Sequence, residues 1–209
     1  ADAGILGGNG GMIETSGYSL LTDGIMVSAA SPFGNGGEWL LDPFNVTIST
    51  ASNSGTTFTS GTDFTALATS VINVSNINSA LNSGTNVSIS TGATTTCCST
   101  ITLESSILKS AGGPATLTLS GSSIILGSAT GYSITASGTG VGPLSVTLIS
   151  AYGSPISYAD MDLGGGTFTV IDNAWTDHHY YGKISGNTAL VKSGIGELYL
   201  TNQNNDFTG

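Results

Sequence analysis

The densest run of chemically capable side chains is DNAWTDHHYY at 172–181. Asp177 and His178 offer an oxygen and a nitrogen donor, Trp175 a stacking platform for a sugar ring, and Tyr180 and Tyr181 further aromatic surface. Two uses compete: a ligand-contact patch, or a loop that leaves the main fold with its aromatics packed on the flank and its polar groups in water. A metal centre fits poorly, because adjacent histidines on a strand diverge and chelate one ion badly. Asp160 and Asp162 form an i,i+2 pair in YADMD, which a strand would place on one face. Such a pair suits glycoside cleavage, where two carboxylates sit about 5–10 Å apart, or a hard cation; solvated loop acids are the plainer reading. Lyase chemistry is disfavoured, since there is no Arg and Lys109, Lys183 and Lys192 are dispersed. The adjacent Cys97 and Cys98 would strain a mutual disulfide, lack the spacing of a zinc site, and have no supporting motif for a dyad with either histidine. Asn45, Asn73 and Asn86 each open an N-x-[ST] triplet, as a glycosylation acceptor or as a corner asparagine bonding neighbouring backbone. No catalytic residue, cofactor or metal is assigned.

These groups have to be held by a chain of unusual composition. Of 209 residues, only 8% are charged, against about a quarter in an ordinary soluble domain. Three Lys stand against 13 acids, for a net charge of −10, which excludes a surface that neutralises many phosphates and with it nucleic acid as a partner. No apolar run is long enough to span a membrane as a helix. The opening ADAGILGGNGG has neither a basic n-region nor an apolar h-region, so the stretch reads as an internal part of a longer, processed protein.

Short alternating phrases recur along the chain. They are NVTIS at 45–49, NVSIS at 86–90, TITLE at 100–104, TLTLS at 116–120, SIILG at 123–127, YSITAS at 132–137, SVTLIS at 145–150, TFTVID at 167–172 and ELYLTN at 197–202. Each has the period-2 pattern of a strand with one buried face. Gly, Asn, Ser and Pro clusters separate them and supply corners. One short helix is expected around 76–82, stopped by Gly84. A sandwich and a parallel solenoid both fit this spacing. Two features favour the solenoid: strands rich in Ser, Thr and Asn, which suit like-with-like ladders, and scarce charge, because like charges on stacked coils would align about 4.8 Å apart.

Longer phrases carry a family resemblance. GGNGGMIETSG (7–17), GGEWLLDPFNVTIS (36–49), INSALNSGTNVSIST (77–91) and TITLESSILKSAGGPATLTLSGSSIIL (100–126), followed by GPLSVTLIS (142–150) and LGGGTFTV (163–170), resemble filamentous-haemagglutinin-type exoproteins of two-partner secretion. LVKSGIGELYLTNQNNDFTG (190–209) is similar to the passenger-associated repeat of autotransporters, with Phe207 where tyrosine is usual. The resemblance implies an all-β, right-handed parallel β-helix with loop excursions. It further implies export through an outer-membrane transporter, and an extracellular or outer-membrane-surface location as an adhesin stalk. It implies no catalytic site. The Cys97–Cys98 pair and the His178–His179 stretch depart from the family pattern.

The expectation is one β-solenoid segment, 1–209, of roughly eight to ten coils at about 20 residues each. It divides into opening coils with the WLLDP phrase (1–50), irregular coils (51–96), central coils (97–189) and the passenger-associated repeat (190–209). The expected role is attachment or self-association through a Ser/Thr/Asn-rich surface, with a glycan, a protein surface or like copies as partners. The alternatives are a self-assembling filament subunit, or a β-helix carbohydrate-active enzyme using Asp160 and Asp162.

Overall fold

The computed structural model describes the chain except 23, 53, 59–63, 92–98, 152–155 and 174–176, and except the side chains of 54–58 and 64–68. Cys97, Cys98 and Trp175 therefore lie outside the described residues. The alternating phrases are strands, and they stack in parallel as a β-solenoid of about six turns.

The first face is a seven-stranded sheet of β1 (Met12–Ser16), β2 (Glu38–Asp42), β6 (Asn86–Ser90), β9 (Ala115–Gly121), β12 (Leu144–Ser150), β15 (Thr167–Asp172) and β18 (Ala189–Gly194). The second face starts with β10 (Ser123–Leu126), β7 (Thr100–Leu103), β3 (Val46–Ser49), β5 (Phe64–Asn73) and the antiparallel β4 (Ser54–Phe58). It continues past β10 into β13 (Ile156–Ser157), β16 (His178–Tyr180) and β19 (Leu198–Leu200), because the amides of Tyr158 and Ala159 both donate to the Leu126 carbonyl, at 2.8 and 2.9 Å. The third face holds β8 (Ile107–Lys109), β11 (Ser133–Ala136), β14 (Asp160–Asp162) and β17 (Ile184–Ser185).

Period-2 alternation on parallel strands turns one sequence pattern into vertical columns. Trp39, Val87, Leu117, Val146, Phe168 and Leu190 form one inward column on the first face. Ile72, Ile48, Leu103 and Leu126 form one on the second, and Ile107, Ile134, Met161 and Ile184 one on the third. Apart from Leu190 in the last coil, all of these are buried. At about 1.5–3 kcal/mol per buried aliphatic side chain, these columns are the main favourable term of the fold.

Fewer coils form than the 20-residue repeat suggested. Successive rungs of the first face run from Met12 to Glu38, Asn86, Thr116, Ser145, Thr167 and Ala189, so the coils take 26, 48, 30, 29, 22 and 22 residues. The 48-residue coil holds the irregularity. After β3 the chain makes the β4–β5 hairpin, and β5 returns to the side of β3 away from β7, so the chain steps backwards along the stack. Helix α1 (Val74–Asn82) follows, capped by the Asn73 side chain accepting from the Ser75 amide at 2.9 Å. Gly84 behind it adopts φ +81, a left-handed conformation that suits glycine.

The helix takes the place of a third-face strand. Its Asn78 carboxamide accepts from the Leu108 amide at 3.1 Å, and its Asn82 carboxamide accepts from the Ser110 and Ala111 amides at 2.8 and 3.1 Å. Those bonds cover the edge of β8. Similar clamps occur at other corners. Thr85 Oγ1 accepts from the Ala29 amide, Ser70 Oγ from Leu20, Thr188 Oγ1 from Leu163 and Asn205 Oδ1 from Ile184, at 2.8 to 3.0 Å. The wealth of short polar residues thus has a structural use: it satisfies backbone amides where strand ladders break. Coil approach at some corners leaves no room even for a methyl group, as at Gly166, where a Cβ would stand 1.9 Å from the Leu144 carbonyl oxygen.

Candidate contact surface

The segment 178–180 is a strand of the second face, and its alternation sorts the side chains the sequence had grouped. His178 and Tyr180 point inward, at 1% and 0% exposure, and are not available to an external ligand. Tyr180 donates from its hydroxyl to the Ala159 carbonyl at 2.6 Å and packs tilted on Phe168. Burial, then the charge of Asp160, pushes its phenol far above the usual range. The His178 Nε2 lies 3.3 Å from the Ser157 hydroxyl, while its buried Nδ1 has no hydrogen-bond partner among the described residues. Burial first, then His179 and Lys192, pull its pKa down to about 4. Asp177 is exposed at the head of the strand and Tyr181 half-exposed behind it.

Of the outward rings here, Tyr181 was singled out from sequence, while Tyr158, His179 and Tyr199 were not. Tyr158 stacks on Tyr181 across one coil step at 5.0 Å, and His179 stacks on Tyr199 across the next at 4.9 Å. Tyr181 and His179 stand side by side at 6.2 Å, so the four rings make a patch of two short columns. Ile156 is the partner of His179 in the preceding coil. Tyr199 donates to the Glu197 carboxylate, and that bond, reinforced by the charges of Asp177 and Glu197, raises its pKa. Within this patch each pair covers one ring face of its partner. For Tyr158, His179 and Tyr199 the sequence signal was strand parity, and HHYY carries no alternation to fix it.

The three N-x-[ST] asparagines are built into corners. Asn45 accepts from the Thr100 amide at 2.7 Å, and Asn86 accepts from Thr116 at 2.8 Å while donating to the Gly36 carbonyl. Asn73 donates to the Thr50 and Ala51 carbonyls as it caps α1. The nitrogens of Asn73 and Asn86 thus already bridge to backbone, and glycosylation there would have to break those bonds.

The first face presents a different surface. From β6 to β15 its outward positions are Asn86, Ser88 and Ser90, then Thr116, Thr118 and Ser120, then Ser145, Thr147 and Ile149, then Thr167, Thr169 and Ile171. These twelve positions hold no ionisable group, and parallel register aligns Ser88, Thr118, Thr147 and Thr169 in one column. The acids of the third face stand elsewhere. Asp160 accepts from the Lys183 amide at 2.7 Å, Asp162 lies beside Gly186, and Lys183 pairs with Asp206 at 2.8 Å. Asp160 and Asp162 do share the outer side of β14, each tied to a neighbouring turn or coil.

Among the described residues no cluster of three potential metal ligands occurs, and no helix is long and apolar enough to cross a membrane. Comparison with family models, curated proteins and solved structures finds no match. The class of the molecule therefore rests on its own geometry: a parallel β-solenoid with an uncharged, hydroxyl-rich array over β6 to β15 of the first face and an aromatic patch on the second.

Proposed function

We propose that the chain is a structural and adhesive segment of an exported bacterial surface protein, of the filamentous-haemagglutinin or autotransporter-passenger kind its phrases resemble. It attaches to a glycan or protein surface, or to like copies, through the hydroxyl-rich outer side of the first face. In this reading it is exported through an outer-membrane transporter, stands outside the cell, and is not an enzyme. The observation that carries the reading is the twelve-position uncharged array from Asn86 to Ile171, in a chain of net charge −10. Such a surface offers hydroxyls and methyls to a partner without the cost of desolvating charge.

The purified chain is expected to bind saturably to at least one of immobilised glycans, matrix proteins or its own copies. Binding should persist at roughly 0.5 M salt, since screening at a Debye length of a few ångströms removes only charge-driven contacts. Binding no better than that of the heat-unfolded chain on all three surfaces would defeat the proposal. A filament subunit is the second reading, favoured by exposed apolar side chains near the N-terminal end, with Leu6 and Met26 at 98% and 95% exposure. Growth of the sedimenting species with concentration is its signature.

A further inference from the structure

Tyr158 has one ring face covered by Tyr181. On its other side lies the preceding coil, where the chain turns away at Gly127 with φ +78, and no ring of the described residues stacks there. A groove of about 310 Å³ opens at this place, lined by Ser123, Ile125, Gly127, Ser128, Ile156 and Tyr158. That size is at the lower end of small-molecule sites.

We infer that this groove is a subsite for one ring of a neutral hexose or N-acetylhexosamine in a glycan chain. A pyranose has an apolar C–H face and a hydroxyl rim, and the lining repeats that division. The free Tyr158 face with Ile125 and Ile156 forms an apolar wall of aromatic and aliphatic carbon. The Ser123 and Ser128 hydroxyls flank it, and neither bonds elsewhere in the protein among the described residues. Among the described residues no carboxylate, ammonium or imidazole lines the groove, so a neutral ligand fits and a charged one finds no counterion there. The groove is open to solvent, which suits a unit of a chain whose neighbours run on in water. An all-apolar ligand would leave both serines unpaired against it. Of the stacked rings, Tyr158 is the one that lines a groove.

The inference goes beyond the attachment reading, because the groove lies on the second face and not on the first, and it is tested separately. The folded chain is titrated with cellotetraose, maltotetraose, mannotetraose and chitotetraose, and binding is followed by NMR and calorimetry. At least one should bind, with shifts centred on 123–128 and 156–158. Tyr158→Phe, which keeps the ring, should stay within about threefold of wild type, and Tyr158→Ala should weaken binding by more than about tenfold. Ser128→Trp, on an exposed turn outside the core, should block the groove and abolish binding while circular dichroism stays unchanged. The subsite is overturned if none of the four sugars binds, or if Ser128→Trp and Tyr158→Ala bind as wild type. Attachment to a protein surface that survives Ser128→Trp, with no sugar bound, overturns the subsite and leaves the attachment reading standing. Loss of attachment in the wild type overturns that reading, and the titration still decides the subsite.

Discussion

Replacing Trp39 by alanine is expected to cost about 4 kcal/mol, among the largest losses any single substitution in this chain should produce. Trp39 is fully buried in the second rung of the first face, between Ile13 and Val87, and its indole donates to the Thr15 hydroxyl at 3.2 Å. Removing the ring leaves a cavity among fixed columns that cannot collapse without breaking the ladder on either side, and it orphans the Thr15 contact. Because each coil contacts only its neighbours, the damage should be local. Hydrogen exchange should accelerate first in β1, β2 and β6, while β12 and β15 keep their protection. Trp39→Phe, which keeps most of the volume, should lose less than half as much. A denaturation midpoint within error of wild type for Trp39→Ala would contradict this account of the core.

The second large effect is on pH dependence. His178 titrates at about 4 in the folded protein, against 6.5 for the free side chain, chiefly because burial disfavours its charged form. Below pH 6.5 the unfolded chain takes up a proton that the folded chain refuses. Stability contributed by the neutral imidazole is therefore complete above pH 6.5 and is lost as pH falls towards 4, by up to about 3 kcal/mol. The loss should centre on the last coils, where His178 pairs with Leu198, its ring reaches the Ser157 hydroxyl, and the cationic Lys192 acts on it. Denaturant titrations at pH 7 and pH 4.5 should show this fall in wild type and a smaller one in His178→Leu, which has nothing to titrate there. Equal slopes in the two proteins would show that His178 is not the group responsible.

How much of this was legible in the sequence depends on which interactions decide each feature. Strands such as 86–90 and 167–172 coincide with their alternating phrases, because period-2 burial is a local property. The helix was legible at its C-terminal end, from Gly84, while its start at Val74 behind the Asn73 cap lies two residues before the expected one. Register was not. Rungs separated by 22 residues in one place and 48 in another leave no fixed period to read, and the backward step of β5 depends on a pairing with β3 that only the folded chain makes. The column Ser88, Thr118, Thr147 and Thr169 is invisible in a chain where those residues lie 30, 29 and 22 positions apart. At 177–181 the residue types were right for contact chemistry, but parity decided which could touch a ligand, moving His178 and Tyr180 inward and bringing His179 out. Asn45, Asn73 and Asn86 carry a modification triplet, and their tertiary hydrogen bonds give them a different task.

The measurement that bears most directly on the attachment reading is a binding comparison of two charge variants. Thr118→Lys with Thr169→Lys places two ammonium groups in the first-face column two coils apart, roughly 10 Å from each other, so their repulsion stays small. Thr135→Lys puts a like charge on the outer side of the third face, opposite Asp162. With both proteins folded to wild-type midpoints, the double variant should attach at least about tenfold more weakly than wild type, and Thr135→Lys should attach as wild type does. Undiminished attachment by the double variant would contradict the assignment of the first face as the contact surface.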